Sequence, residues 1–152
     1  ENIIMSDAMS DYLEASIINH LFRADTFAKP SAIFVGLIRY YESSKVEAFT
    51  GTTIGPKELG AAGDIALSYA RVAVTQNDSN WSAATTGGAT SNAGDITFNT
   101  STGDWGMVSG VFVVDASGGG NLLLHGALTT PRDVKSGDVF KFNAGDLDIT
   151  FT

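Results

Sequence analysis

Residues 104–128 read DWGMVSGVFVVDASGGGNLLLHGAL, and this stretch decides the fold. Its two apolar runs, at 107–114 and 122–128, are each the length of a strand. Three consecutive glycines at 118–120 lie between the runs, and glycine tolerates the positive φ angles of tight hairpin turns. A strand-like run follows these glycines, whereas a phosphate-binding loop is followed by a helix and usually carries a lysine. The stretch therefore predicts a β-hairpin.

Short apolar segments bounded by turn residues recur on both sides of this hairpin. Residues 31–41 carry Val35 and Leu37 on one face and Phe34 and Ile38 on the other, which predicts a strand packed on both faces. Four further strands are predicted at 69–75, 95–99, 139–142 and 147–151. Seven short strands at regular spacing predict a mainly β fold, an antiparallel β-sandwich or jelly roll.

One helix is predicted near the N-terminus, at about residues 6–23. Its apolar residues recur at helical spacing, and Asp11 followed by Glu14 resembles a capping box. Pro30 prevents the helix from continuing further. We therefore expect a single domain over residues 1–152, with a β-sandwich at about 31–152. The segments 42–68 and 76–94 show weak periodicity, and we expect them to be long irregular excursions.

The composition excludes several function classes. Nine Lys and Arg residues against 17 Asp and Glu give a net charge of −8, so no basic surface for nucleic acid is expected. The absence of Cys excludes disulfides and thiol nucleophiles, and it is consistent with a reducing compartment such as the cytoplasm. No apolar run reaches the roughly 20 residues that span a bilayer, and residues 1–6 do not resemble a secretory signal. We expect no membrane partner.

The sequence offers no catalytic constellation. His20 and His125 have no Cys or third His to complete a metal site, so we interpret both as hydrogen-bonded structural residues. No nucleophile, base and orienting group can be nominated together, so we expect no enzyme and no cofactor. Asp138, Asp146 and Asp148 would be the ligands of a calcium site. Because Asp beside Gly is also what tight turns require, we favour turns for these aspartates and expect no metal.

The remaining candidates are interface residues. Trp105 precedes a long apolar run, and we expect it to plug the end of the core. Trp81 lies in a polar loop, where an aromatic ring can anchor a partner. The expected contact elements are the N-terminal segment up to Tyr12, residues 42–68 and the loop 76–94, and residues 87–94 are expected to be dispensable for folding. The candidate interface residues are Tyr12, Trp81, Gly87 and Gly88.

An ordered series of short motifs covers nearly the whole chain. It includes SDYLE at 10–14, INHLFR at 18–23, DWGMV at 104–108 and GGNLL at 119–123, and it ends with AGDL at 144–147. In this order the motifs resemble a family of small tailed-phage virion proteins, described as tail-fibre-like or capsid-decorating. The resemblance implies a non-enzymatic structural protein of the virion.

Two positions in the particle follow from this resemblance. The first is a capsid decoration or cement protein that bridges capsomers and has the major capsid protein or other virion proteins as partners. The alternative is a tail-associated adaptor or fibre-like protein, which a carbohydrate-binding role in host recognition would also fit. Either role fits a homo-oligomer, because virion parts occur in many symmetric copies. A glycan hydrolase using two loop aspartates is a further alternative, although no spacing selects the pair.

Overall fold

The computed structural model describes residues 3–5, 9–50, 58–59, 67–84 and 87–151, with the backbone alone described for 3–5. The described residues form nine strands and two helices. In chain order the elements are β1 (Ile3–Met5), α1 (Asp11–Phe22), β2 (Phe34–Arg39), α2 (Ser43–Val46), β3 (Val72–Ala73), β4 (Ala89–Ser91), β5 (Ile96–Thr97), β6 (Gly106–Val114), β7 (Leu122–Val134), β8 (Lys141–Phe142) and β9 (Leu147–Thr150). The prediction of a mainly β chain with an N-terminal helix is confirmed.

Across the described ranges, the strands form three sheets. The largest has four strands in the order β3-β2-β6-β7, and all its neighbours are antiparallel. A second sheet has the order β1-β9-β4, and a third pairs β5 with β8. The pairing of β1 with β9 is parallel, but β1 lies outside the predicted sandwich of about residues 31–152. The other strand pairs of the described residues are antiparallel, which confirms the prediction. Sheets of four, three and two strands give a sandwich-like arrangement and lend no support to the jelly-roll alternative.

The hairpin predicted from residues 104–128 is present. β6 and β7 pair antiparallel from Gly106 opposite Val134 to Val114 opposite Leu122. Gly119 and Gly120 have φ angles of 63° and 84° in the connecting loop, which explains the glycines there. β7 continues beyond the predicted end at residue 128. Its last residues are mostly polar and exposed, so the apolar pattern did not reveal that they pair with the start of β6.

The core occupies both faces of the four-stranded sheet, as predicted for residues 31–41. Alternate residues of β2 and β6 point to opposite sides, so that Val35 and Val111 join one cluster while Ile38 and Phe112 join the other. The first cluster lies between the large sheet and the two smaller ones. Edge-to-face aromatic pairs link three of its phenylalanines, Phe98, Phe140 and Phe142. Trp105 is 3% exposed at the edge of this cluster, which confirms its predicted position.

α1 begins later than predicted, because Ser10 caps it. Residues 9–10 precede the helix, the predicted positions 6–8 lie outside the described residues, and Asp11 is the first helical residue. The Oγ atom of Ser10 accepts a hydrogen bond from the Leu13 backbone N–H (3.2 Å). The predicted Asp11 capping box is therefore wrong. Ser10 is fully buried, and its backbone N–H donates to the Leu123 carbonyl of β7 (3.0 Å), so contact with the sheet selects the cap.

The two segments predicted to be irregular contribute to the core and the sheets. In 42–68, α2 buries Val46 completely, and Leu59 is 3% exposed. In 76–94, β4 pairs with β9, and Asn92 is 1% exposed. The prediction that residues 87–94 can be deleted without loss of fold assumes an irregular loop. That assumption is wrong, because β4 is part of a sheet. Within the described residues, neither helix has the length and apolar character that crossing a membrane requires.

Candidate functional site

An apolar groove of about 260 Å³ lies where α1 and the segment after it meet the large sheet. Its floor is formed by Val113 of β6 with Leu123 and Leu124 of β7. Aromatic side chains form much of the remaining lining. These are Phe27, Trp81 and Phe151. Phe151 is 46% exposed, so the groove presents apolar surface to solvent.

Gly88 holds one side of the groove in place. It has a φ of 67°, and its carbonyl accepts a hydrogen bond from the Phe151 backbone N–H (3.1 Å). A Cβ atom at residue 88 would lie 3.1 Å from the Phe151 carbonyl oxygen. A side chain here is therefore disfavoured by both the backbone angle and the contact. Gly87 is exposed, and a Cβ there would meet nothing within 4 Å.

The Trp81 ring is positioned by a turn that Asn77 organises. The Oδ1 atom of Asn77 accepts from the backbone N–H groups of Ser79 (3.0 Å) and Asn80 (2.9 Å). The Asn77 carbonyl accepts from the Trp81 backbone N–H (3.1 Å). The Trp81 ring is partly buried against the core, and its Nε1 atom is buried without a hydrogen-bond partner among the described residues. Trp81 therefore contributes an apolar wall rather than a donor.

Two hollows, both more polar than the groove, flank it. One, of about 470 Å³, has Trp81 as a wall and is lined by Lys29, Asn77 and Asp78 among others. The other, of about 360 Å³, includes Tyr12 and Phe27. Trp81 lines the groove and the first hollow, and Phe27 lines the groove and the second, so the groove adjoins both hollows.

The structure brings together two of the four predicted interface residues. Trp81 and Gly88 both line the groove. Tyr12 lies in the hollow beyond Phe27, and Gly87 precedes Gly88 without lining any of these depressions. Sequence reasoning missed Phe27 and Phe151. Their only signal is a large apolar ring in a segment that is otherwise polar.

Asn92 fixes the loop that carries β4, and sequence reasoning did not assign it a role. Its Nδ2 atom donates to the carbonyls of Gly94 (2.7 Å) and Asn143 (2.9 Å). Its Oδ1 atom accepts from the Leu147 backbone N–H (2.9 Å). Because the side chain is buried, these bonds replace those that water would make. Asn92 thus joins the end of β4 to the start of β9.

A buried ion pair ties the glycine-rich hairpin loop to the rest of the sheet. Arg71 donates from Nε to Oε1 of Glu58 (2.9 Å) and from Nη2 to Oε2 (2.8 Å). Nη1 of Arg71 donates to the carbonyls of Ala116 and Gly119 in the loop. Tyr69 donates its hydroxyl proton to Glu58, and burial raises the pKa of Tyr69 well above its ordinary value. The Arg71 guanidinium, which is held by Glu58, therefore anchors the hairpin loop.

Both histidines are hydrogen-bonded, as predicted. Nδ1 of His20 accepts from the Phe27 backbone N–H (3.2 Å), which fixes the chain where it leaves α1. His125 is fully buried on β7, and its Nδ1 lies 2.9 Å from the Tyr41 hydroxyl oxygen. Burial lowers the pKa of His125 below its ordinary value, which favours the neutral ring.

The loop aspartates organise turns. Asp138 accepts from the Lys135 backbone N–H (2.9 Å), and Asp146 accepts from that of Asn143 (2.9 Å). The backbone N–H of Ser136 donates to Asp104 and lowers the pKa of that carboxyl. The turn interpretation is confirmed for Asp138 and Asp146. Among the residues described, the carboxylates of Asp138, Asp146 and Asp148 do not come together as the calcium alternative requires.

Comparison with known proteins gives one family. The family model described as Podophage GP4 fiber I protein gp80 matches residues 8–150. The match includes both helices and every strand except β1. No curated protein matches the chain.

Proposed function

Because the chain belongs to the family of the podophage GP4 fiber I protein gp80, we propose that it is a non-enzymatic component of the phage tail, associated with a fibre. Membership of this family makes the chain a structural protein of the virion. The family supports the tail-associated alternative more directly than capsid decoration, which stays a prediction with no support of its own. Association with other virion proteins follows from the same membership.

The chemistry of the chain supports an adaptor rather than a shaft. A fibre shaft is built from repeats, and this sequence has none. The large sheet is packed on both faces, and the hairpin loop is held by a buried ion pair. Such a scaffold presents a concave surface without deforming, which suits a part that joins two neighbours.

The apolar groove is the observation that carries this proposal. Phe27, Trp81 and Phe151 line a concave surface whose floor is aliphatic. Aromatic anchors in concave, desolvated sites supply most of the energy of protein interfaces. We assign to the groove an apolar segment of a neighbouring virion protein. Most of the binding free energy of this segment would come from burial of its apolar side chains.

Copy number in purified particles tests this assignment. Phe151→Asp puts a charge at the groove, and Met107→Asp is the matched control because Met107 is also 46% exposed and does not line the groove. We expect Phe151→Asp to reduce the copies per particle at least ~10-fold by quantitative mass spectrometry, since burying an unpaired charge is costly. The control should keep the wild-type number. Equal incorporation of both variants would show that the groove is not part of the assembly interface.

Host-glycan recognition is a second candidate, favoured by one observation. Trp81 walls the hollow of about 470 Å³ together with Lys29, Asn77 and Asp78, a mixture of aromatic and polar groups that suits a sugar. A glycan array probed with the wild-type protein tests this role. Binding that Asp78→Ala weakens while Tyr12→Ala leaves it intact would support it, and no binding to any host surface glycan would eliminate it.

A further inference from the structure

The outward face of α1 is apolar, which is the reverse of an ordinary surface helix. Leu13 is the one buried residue of the helix. Ile18, Leu21 and Phe22 are 56%, 66% and 82% exposed. Their spacing of three and four residues places them on one stripe, whose centre lies roughly 130° around the helix from Leu13. These three side chains expose on the order of a few hundred Å², the size of patch that marks an interaction site.

The two ends of α1 carry opposite charge. At the N-terminal end, carboxylate oxygens of Asp11, Glu14 and Glu47 lie within 4.8 Å of one another. At the C-terminal end, Arg23 is exposed and caps the helix. Over the described ranges, neither the acidic cluster nor the Arg23 side chain has an ion-pair partner. An apolar centre with one acidic and one basic end is self-complementary when two copies run antiparallel.

We propose that two copies of this chain pair through α1, antiparallel about a two-fold axis that passes beside Ile18. A 12-residue helix is about 18 Å long, so the axis at Ile18 brings Arg23 to the acidic end of the other helix. Phe22 then lies beside the partner's Ala15, whose small, exposed side chain leaves room for the ring. Arg23 reaches the partner's Glu14, and the two helix dipoles oppose one another favourably.

The contact is smaller than the roughly 800 Å² per partner that a standard interface buries. The free protein should therefore dimerise reversibly, and neighbouring copies held in a particle would strengthen the pairing through high effective concentration. This face lies outside the Trp81 groove, and self-pairing through it does not depend on the function proposed above.

Sedimentation velocity on the full chain, at about 5 to 200 µM, tests the pairing. We expect the wild-type protein to shift from monomer to dimer with concentration, and Leu21→Asp to weaken the dimer at least ~10-fold because it buries a charge. Tyr40→Asp is the matched control, since Tyr40 is also 66% exposed and belongs to the turn after β2 rather than to α1. Circular dichroism checks that both variants keep their fold. A wild-type protein that stays monomeric throughout would overturn the proposal and leave the face to another virion protein.

A charge exchange tests the antiparallel orientation separately. Glu14→Arg and Arg23→Glu should each weaken the dimer, and the double variant should recover it, because the ion pair is re-formed with its signs reversed. Both substitutions oppose the helix dipole, so recovery cannot arise from a more stable helix. A double variant at least as weak as the weaker single variant would contradict this register.

Cross-linking tests the position of the axis. The chain has no Cys, so Ile18→Cys introduces a single thiol. Paired helices that touch at Ile18 bring the two Cα atoms within the roughly 4.4 to 6.8 Å that a disulfide spans. Mild oxidation should convert Ile18→Cys to a covalent dimer far faster than Val139→Cys, whose residue is 44% exposed on another surface. Equal rates for the two variants would overturn the proposed axis.

Discussion

The ring of Phe112 on β6 covers Gly36, its cross-strand partner on β2, and fills the space that a side chain at residue 36 would need. A Cβ atom at residue 36 would lie 2.2 Å from Cζ of this ring. The Arg71 guanidinium carbon lies 5.1 Å from the ring centroid, so the ring is also held by a cation. Gly36 is therefore required by its partner across the sheet rather than by a turn.

Gly36→Ala should lower the free energy of unfolding by about 2 to 3 kcal/mol, because the buried Phe112 ring has no free space to enter. Urea unfolding measures this change. Gly87→Ala is the control, since a Cβ there meets nothing within 4 Å, and it should change stability by less than about 0.5 kcal/mol. Similar unfolding midpoints for the two variants would contradict the packing described for Phe112.

Asn92→Ala should destabilise the protein by about 2 to 3 kcal/mol, since it leaves one buried N–H and two partly buried carbonyls without this partner. Asn99→Ala is a suitable comparison because Asn99 is exposed and its Nδ2 atom donates to one carbonyl, that of Ser68. Its loss should cost about 1 kcal/mol or less. Thermal and urea unfolding of both variants give the comparison, and equal losses would show that Asn92 does not join β4 to β9.

Arg71→Lys should destabilise the protein by about 2 kcal/mol even though it keeps the charge. A lysine ammonium cannot reproduce the two-point contact with Glu58 and also hold the carbonyls of Ala116 and Gly119. Arg132→Lys is the control, since Arg132 is exposed on β7. Faster amide hydrogen exchange at the hairpin loop in Arg71→Lys would locate the effect. Unchanged exchange there would refute the anchoring role.

His125 should make stability fall between about pH 7 and pH 5. Burial lowers the pKa of His125 in the folded protein below the unfolded value of about 6.5, so the unfolded chain binds the proton more readily. The stabilising contribution is complete above the unfolded pKa, begins to be lost as the pH falls through that value, and is fully lost below the lowered pKa of the folded protein. The carboxyls of Asp95, Asp104 and Asp146 have lowered pKa values and lose their contributions at lower pH.

Urea unfolding at several pH values measures this dependence. His125→Gln removes the titrating group, so its stability should vary less between pH 7 and pH 5 than that of the wild-type protein. Asn99→Ala is the control, because Asn99 is exposed and does not titrate, and its profile should keep the slope of the wild-type profile. A His125→Gln profile as steep as the wild-type profile would mean that other groups cause the loss.

The parts of the fold that sequence predicted are those with a local signal. The hairpin at 104–128 has apolar runs and a glycine turn, and the apolar residues on both faces of 31–41 reported two core clusters. β4 carried no such signal, because Ala89–Ser91 is short and polar and becomes a strand by pairing with β9. Ser10 and Asp11 are both good capping residues, and the choice between them depends on the buried contact of Ser10 with β7.

The candidate site divides in the same way, into residues with a local sequence signal and residues without one. Trp81 is a sequence candidate because a large ring in a polar loop is unusual, and Gly88 because it lies in the same loop. Phe27 and Phe151 join them through packing between segments far apart in the chain, which single-sequence patterns do not record. The exposed stripe of α1 was visible as a helical pattern, but the same pattern describes a buried face. Because Leu13 is the residue of α1 that is buried, Ile18 and Phe22 face outward.

Cryo-electron microscopy of purified particles tests the central claim most directly, because it locates the chain. We expect density for this β fold, with α1 and the hairpin recognisable, at the tail where a fibre attaches. A particle that carries the protein with a fused tag should show the added density at the same place. Density distributed over the capsid lattice, with none at the tail, would contradict the proposed fibre-associated role and return the protein to capsid decoration.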